Sequence, residues 1–526
     1  NVALPVRGKA SRRMSSLARS VPTARIATPR SASSARDERR ARSIRPSASA
    51  SASDGKDKED DARTESSTSS VSRRRALLGA ASLATLAPAS VALADEAAMA
   101  PPNPRAYFQR YPTLFAPFYG DDERATLLKT VVPNRVWCLE QNLAVGPLET
   151  PLRCVVIRLR DDSLWVHAPL APTEEFFELI ERDVGGTVKH VVVPTYALEH
   201  KVFAKDACDR WPDADLWIAP GQFAFPMEIS AERIYGRTPA GVLGDVSDAG
   251  GERGAGGEPP WADEIDVKIL RSGSFRLGGR DVGLREATFF HRPTGVMVVT
   301  DCIARIPEEI PPLVDPEKLL LVGKRSTAEP TPAVGSPGDT PEARLAGWKK
   351  MTLLINYFFP EHEEPGGAPG VVEWTDGWED NFAAISGRLF VPPVVRSLLY
   401  AQDPAGVRAW ADSVAEDWFA PAETTVIGED GTSTRVVSTP ASLTIVPAHW
   451  DGPLENVRVE DFLNAYRWLD DPGSDPFPEA DMARGLQPVI DAVFGTKTKA
   501  DGSQGSGLDL FFSSFPTLAS RFEGGE

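Results

Sequence analysis

Three short apolar runs in this chain each lead, within a few residues, to side chains able to ligate a metal ion. Val191-Val-Val-Pro-Thr195 passes through Tyr196-Ala197-Leu198 to Glu199-His200. Val296-Met-Val-Val-Thr300 ends on Asp301, and Ser442-Leu-Thr-Ile-Val446 leads to His449. Short apolar runs rich in β-branched residues read as buried strands. A fold that brings these strand ends to one edge gathers two carboxylates and two imidazoles there, which is how a metal-ion site is commonly built. The pattern points to a class of chemistry and leaves the substrate open.

The first stretch of chain is of another kind. Residues 1–100 carry 18 Lys+Arg against 10 Asp+Glu, are rich in Ser, Ala and Arg, and contain neither Cys nor His. Such a composition is too poor in large apolar residues to fold and reads as a transit peptide over residues 1–95. Within it, Ser72-Arg73-Arg74-Arg75 precedes a weakly apolar run, Ala76 to Ala94, that closes on Ala92-Leu93-Ala94. Paired arginines before a modest apolar segment and a small-x-small site read as a twin-arginine signal. The two in series predict a bipartite leader for the thylakoid lumen of a chloroplast, with the stroma as the alternative. Ser82, Thr85, Pro88 and Ser90 make the run a poor bilayer span, and no transmembrane segment is expected in the mature chain.

After residue 100 there remain 39 basic and 64 acidic residues, a net charge near −25. A surface that negative repels phosphate backbones, so nucleic acid is not an expected partner. None of the four cysteines, Cys138, Cys154, Cys208 and Cys302, falls in a CxxC motif, so a structural zinc site is not expected. Cys138 and Cys154 lie in adjacent strand-like runs with Gly146-Pro147 midway between them. A hairpin would let them pair as a disulfide or leave two buried thiols, and both readings stay open.

Strands are expected at Arg135 to Glu140, Cys154 to Leu159, Leu164 to His167, His190 to Pro194, and Leu216 to Ala219. Ile265 to Leu270, Glu286 to His291, Val296 to Asp301 and Ser442 to Val446 follow. Helices are expected from the Thr173 cap, over Glu199 to Trp211, from Thr340-Pro341 to about Phe358, over Pro404 to Phe419 and over Val459 to Leu469. Runs dominated by Gly, Pro, Ser and acids read as insertions near 236–262, 326–340 and 423–440. Residues 471–526 read as a loop-rich extension with an apolar patch at Leu508 to Phe515. Strands interleaved with helices predict two sheets face to face with helices outside.

At this point particular segments carry a resemblance. They are Pro133-Asn-Arg-Val-Trp, Leu164-Trp-Val-His-Ala-Pro-Leu-Ala-Pro-Thr, Val193-Pro-Thr followed by Glu199-His200-Lys201, and Ala219-Pro-Gly-Gln-Phe-Ala-Phe-Pro. His291-Arg-Pro-Thr-Gly, Val299-Thr-Asp301 and Val446-Pro-Ala-His449 follow in order. From about Tyr107 to Leu469 the chain resembles the family known as domain of unknown function 4336, found in plastid and cyanobacterial lineages. That family is similar in fold to the metallo-β-lactamase superfamily. The resemblance implies an α/β fold, an αββα four-layer sandwich over residues 100–470 with loop insertions and a metal site along one edge.

The superfamily's His-x-His-x-Asp-His motif falls on Thr195, Ala197, Glu199 and His200. Its bridging aspartate falls on Asp301 and its last histidine on His449. Two imidazoles are therefore missing and an aspartate has become a glutamate, which removes one metal position and leaves the outline of another. Its middle histidine has no match; Glu286 and His291 are the nearest polar residues. Glu199, His200, Asp301 and His449 would hold one zinc, iron or manganese ion, as a mixed nitrogen and oxygen set suits. Taken singly, each residue has a plainer role: Glu199 at a helix start, Asp301 capping a turn, His200 and His449 as hydrogen-bonded loop histidines. His167 would stand behind the site. His190 reads as structural, His362 as part of a solvated acidic loop, and Trp374 and Trp378 as core or pocket wall. Two functions follow: a mononuclear metal-dependent hydrolase of an unknown small-molecule substrate, or a catalytically inactive member of the fold that binds or assembles with a protein partner.

Overall fold

Strand residues alternate between two faces, and here both faces are covered, so the runs are apolar nearly throughout. Leu127–Val132 (β1), Val136–Val145 (β2), Leu148–Arg158 (β3), Leu164–His167 (β4), Val188–Val193 (β5), Asp215–Ile218 (β6) and Gly241–Val242 (β7) form a seven-stranded sheet in chain order. β1 to β4 pair antiparallel and β4 to β7 parallel. The crossovers that parallel pairing requires contain Glu174–Glu178 (α1), Ala204–Arg210 (α2) and Ala231–Tyr235 (α3). Thr173 starts α1 by accepting the Phe176 N–H at 3.0 Å. The computed structural model describes residues 103–110, 122–145, 147–222, 230–244, 257–277, 280–357, 362–363, 373–419, 422–427, 433–438, 442–474, 496–498 and 504–506. The leader expected over residues 1–95 and the apolar patch expected at Leu508 to Phe515 lie outside them.

Ile265–Leu277 (β8), Arg280–His291 (β9) and Val296–Val298 (β10) begin the second sheet. Three two-stranded ladders follow: Ala304–Arg305 (β11) with Leu389–Phe390 (β14), His362–Glu363 (β12) with Glu373–Trp374 (β13), and Ala422–Ile427 (β15) with Ser433–Ser438 (β16). Leu443–Val446 (β17) and Leu454–Val457 (β18) then return to give the order β18-β17-β10-β9-β8. Pro316–Gly323 (α4), Pro341–Tyr357 (α5), Trp378–Ile385 (α6), Pro393–Leu398 (α7), Pro404–Trp418 (α8) and Val459–Ala465 (α9) accompany this half.

Packing defines four layers. Within β5, Val191 and Val193 face Ala204 and Ala207 of α2, whereas Val192 faces the second sheet. Within β10, Val296 and Val298 face the first sheet, and Met297 faces Val407, Val414 and Phe462 of the outer helices. Between the sheets lie Trp165, Trp217, Trp261 and Phe289. Helix, sheet, sheet, helix is the αββα sandwich. A further core of Trp348, Met351, Phe382 and Trp450 packs α4, α5 and α6 together.

Several sequence expectations are refined. Cys138 pairs across from Val155, while Cys154 pairs across from Leu139. That one-residue offset sends the thiols to opposite faces, and all four cysteines are free and buried. The single helix expected over Glu199 to Trp211 is a 3₁₀ turn at Leu198–His200 followed by α2. Trp261, in a stretch read as a surface excursion, is buried between the sheets, and β7 from the same stretch completes the first sheet. Window composition hid both, because a single Trp outweighs its Gly- and Pro-rich neighbours once it finds a cavity to fill. His362 belongs to the β12–β13 ladder, not a loop, and Trp374 and Trp378 are core.

Candidate metal centre

Strand register explains how distant residues meet. β10 and β17 are parallel neighbours with Val298 opposite Val446. Asp301 and His449 each follow three residues later, so both emerge at the same C-terminal edge. β5 ends at the corresponding edge of the first sheet, and its loop makes the 3₁₀ turn that carries Glu199 and His200. The sheets are stitched here by Ala287 N–H donating to Pro194 O at 2.7 Å and by a bridge between Thr195 and Glu286.

All four residues singled out in the sequence come together. One ligand atom from each of Glu199, His200, Asp301 and His449 lies within 4.8 Å of the others. His200 Nε2 is 3.3 Å from Asp301 Oδ2, and His449 Nε2 is 3.3 Å from Asp301 Oδ1. The two rings stand edge to face, centroids 5.0 Å apart. Because the turn at Glu199 is a single 3₁₀ turn rather than a helix start, the helix-dipole explanation of that carboxylate falls away.

The proton inventory favours a cation. Burial pushes His449 down to about 4, so its ring is neutral at neutral pH. A neutral imidazole carries one N–H, yet this one faces two acceptors, Pro151 O at 3.2 Å from Nδ1 and Asp301 at Nε2. With the proton on Nδ1, a lone pair confronts a carboxylate oxygen across 3.3 Å. A positive ion between them removes that conflict, and a backbone carbonyl fixing the remote nitrogen is the usual support for a metal-ligating histidine. Burial also depresses His200, but the adjacent Asp301 carboxylate outweighs it and raises the ring above its ordinary range. For Asp301, burial works upward and the His200 imidazole more than offsets it, holding the carboxyl low. Burial lifts Glu199 above the usual carboxylate range. The group offers oxygen and nitrogen atoms that could hold a metal ion.

Two supporting residues emerge from the structure. Glu286, noted in the sequence only as a nearby polar residue, accepts the Thr300 N–H at 2.8 Å and the Asp301 N–H at 3.3 Å. It fixes the turn that presents Asp301. Arg153, 1 % exposed, reaches under the His449 loop. Its Nη1 donates to Pro447 O, His449 O and Asp451 O at 2.8, 3.2 and 3.2 Å, its Nη2 donates to Trp450 O, and its Nε meets Glu140 Oε1 at 2.5 Å. A lone Arg opening the apolar run Cys154-Val-Val-Ile was the available signal, since a buried guanidinium must find several acceptors. Trp450 takes a left-handed φ of +61°, a strained conformation for a bulky residue, and Arg153 helps hold it.

His167 is buried against Trp165 and Phe289 and has no hydrogen bond to the four residues. His291 pairs with Thr294 at 2.7 Å, away from the site. Thr195 and Ala197, on which the resemblance laid two imidazoles, offer no such ligand, and among the described residues no second group of this kind occurs. A cavity of about 480 Å³ opens on Glu199, Asp301 and His449. A larger one, about 550 Å³, contains none of the four; of its arginines, Arg305 is paired with Asp451, Arg467 with Asp471, and Arg396 lies over Trp468.

Burial and the Asp301 charge lift Glu286 from 4.5 to about 7. In metal-free protein its contribution to stability is therefore complete below pH 4.5 and lost as pH rises through about 7. His449 acts in the opposite sense, losing stability as pH falls from 6.5 toward 4. The difference in urea stability between wild type and Glu286→Gln isolates the first effect. That difference should change by about 3 kcal/mol across the Glu286 window; a flat difference would refute the assignment.

A model of the domain of unknown function DUF4336 matches residues 133–468. The chain belongs to that family. No curated protein matches the sequence. As a member of the DUF4336 family it has solved structures similar to it at low identity. A metallo-β-lactamase from Pontibacter korlensis is 10 % identical with a TM-score of 0.24, over 49 % of this chain and 98 % of that one. The metallo-β-lactamase IND-7 is 7 % identical with a TM-score of 0.23, over 33 % and 69 %. The metal-soaked Flv1 flavodiiron core from Synechocystis sp. PCC6803 is 12 % identical with a TM-score of 0.29, over 66 % and 62 %. Scores this low carry no assignment of activity; the four-layer αββα scaffold rests on the sheets and cores described above. Among the described residues, no helix is long and apolar enough to cross a membrane.

Proposed function

We propose that this DUF4336 protein is a mononuclear metal-dependent hydrolase, with Glu199, His200, Asp301 and His449 holding one zinc, iron or manganese ion. The observation that carries the reading is the convergence of these four donors within 4.8 Å, with Glu199, Asp301 and His449 lining a cavity. When bound, such an ion acidifies a water molecule and polarises a substrate oxygen. The chain's own residues set the stage: Pro151 O orients His449, Glu286 fixes the Asp301 turn, and Arg153 holds the His449 loop. Hydrolysis then joins the water oxygen to the substrate's electrophilic centre, breaks the bond to the leaving group, and delivers the proton to it.

Elemental analysis of the full chain beside His200→Ala/His449→Ala tests the reading. About one ion per chain in the wild type, absent from the folded variant, is the expected result. No metal in either protein would sink the hydrolase reading. It would favour the inactive, partner-binding alternative that the replacements at Thr195 and Ala197 suggest. The leader would assign the activity to the thylakoid lumen; a fluorescent protein fused behind residues 1–100 should accumulate there, and stromal fluorescence would favour the alternative.

A further inference from the structure

The cavity beside the four donors is amphiphilic, and its two kinds of wall come from different parts of the fold. Glu199, Glu286, Asp301 and His449 form the polar end. The rest is largely hydrocarbon, from Leu354 and Ile355 of α5 and from Val394, Val395 and Leu399 of and beside α7. Leu354 and Ile355 are only partly buried and pack against one core; Val395 and Leu399 are partly buried and pack against another. Apolar side chains from two cores are thus left half-covered, facing a common space. A concave apolar wall with a few polar groups at one end is the usual form of a small-molecule site, and about 480 Å³ lies within the usual range of about 300–1,000 Å³.

Charge narrows the ligand further. Among the lining residues three carboxylates, Glu199, Glu286 and Asp301, stand against one cationic side chain, Arg285. A divalent ion would bring that formal balance to zero, leaving no excess positive charge to draw a phosphate to the reacting end.

We propose that the cavity takes the hydrocarbon chain of a neutral acyl compound, an ester, thioester or amide, with its carbonyl toward Asp301 and His449. This substrate class rests on the hydrolase reading for its chemistry, while the chain-binding wall stands apart from it. Hydrolysis would add water across the acyl bond, the oxygen going to the carbonyl carbon and the proton to the departing alcohol, thiol or amine. The acyl chain would leave as a carboxylic acid.

Neutral 2-alkanones, from butanone to 2-dodecanone, are non-hydrolysable probes for titration calorimetry on the full chain. Affinity should rise about fourfold per methylene until the chain outgrows the cavity. The same rise should appear in His200→Ala/His449→Ala, because the wall and not the donors reads the chain. Val394→Asp, at a partly buried position, should weaken the longer ketones by tenfold or more by setting a carboxylate in the wall. Leu354→Asn is the second variant should the first fail to fold. Octyl phosphate should bind at least tenfold more weakly than 2-decanone. No dependence on chain length, the same dependence in a folded wall variant, or a preference for the phosphate would each overturn the proposal. Chain-length dependence without metal would sink only the hydrolase reading; bound metal without chain-length dependence would sink only the acyl reading.

Discussion

Arg153→Met should destabilise the protein by about 3–5 kcal/mol, the cost of leaving a buried partner charge, Glu140, without its counter-ion. Glu140 keeps Lys129 at 2.7 Å, but that amine is partly exposed, whereas the Arg153 side chain is 1 % accessible. The same substitution strips donors from Pro447, His449, Trp450 and Asp451 carbonyls. Metal affinity should therefore fall by about 10–100-fold even though Arg153 ligates nothing. Urea unfolding reads the first effect and competition with a chelator the second. Adding Glu140→Gln should recover part of the stability but not the affinity, because only the charge imbalance is repaired. Unchanged metal affinity in the folded Arg153→Met protein would show that the His449 loop holds itself.

Saturating zinc at about a thousand times its Kd should stabilise the wild type by about 4 kcal/mol and His200→Ala/His449→Ala not at all. The gain arises because the cation neutralises the ligand carboxylates that burial otherwise penalises at Glu199 and Asp301. It should weaken as pH falls. His200 is held protonated above its ordinary range by Asp301, and its proton must leave before Nε2 can ligate. Thermal unfolding with and without zinc, repeated at pH 8 and pH 6, checks both statements. Equal stabilisation of the variant would place the zinc elsewhere.

Much of this site was legible in the sequence because its residues follow strands whose apolar runs are unmistakable. Three residues beyond Val298 and three beyond Val446 is a spacing that can be read; that those two valines sit opposite each other is not, since pairing is decided by tertiary contacts. Glu286 illustrates the gap. It lies inside β9, where a carboxylate in an apolar strand is easily taken for an outward-facing residue, and only the backbone amides of Thr300 and Asp301 reveal its task. The expected helix at Glu199 failed for a local reason. Val202, Phe203, Ala207 and Trp211 carry a helical period, but the chain first makes a 3₁₀ turn that brings His200 to Asp301. The thiols of Cys138 and Cys154 could be assigned to opposite faces only once the hairpin register was known.

The stitched seam between the sheets has a reciprocal consequence. Glu199 and His200 belong to one sheet's edge, Asp301 and His449 to the other's, so an ion held by all four is a clasp across the join. By linkage, whatever factor the ion adds to the grip of one half on the other, separating the halves subtracts from the grip on the ion. A ligand that wedges the seam open would act as a chelator without touching the metal, and one that draws it shut would act as a lock.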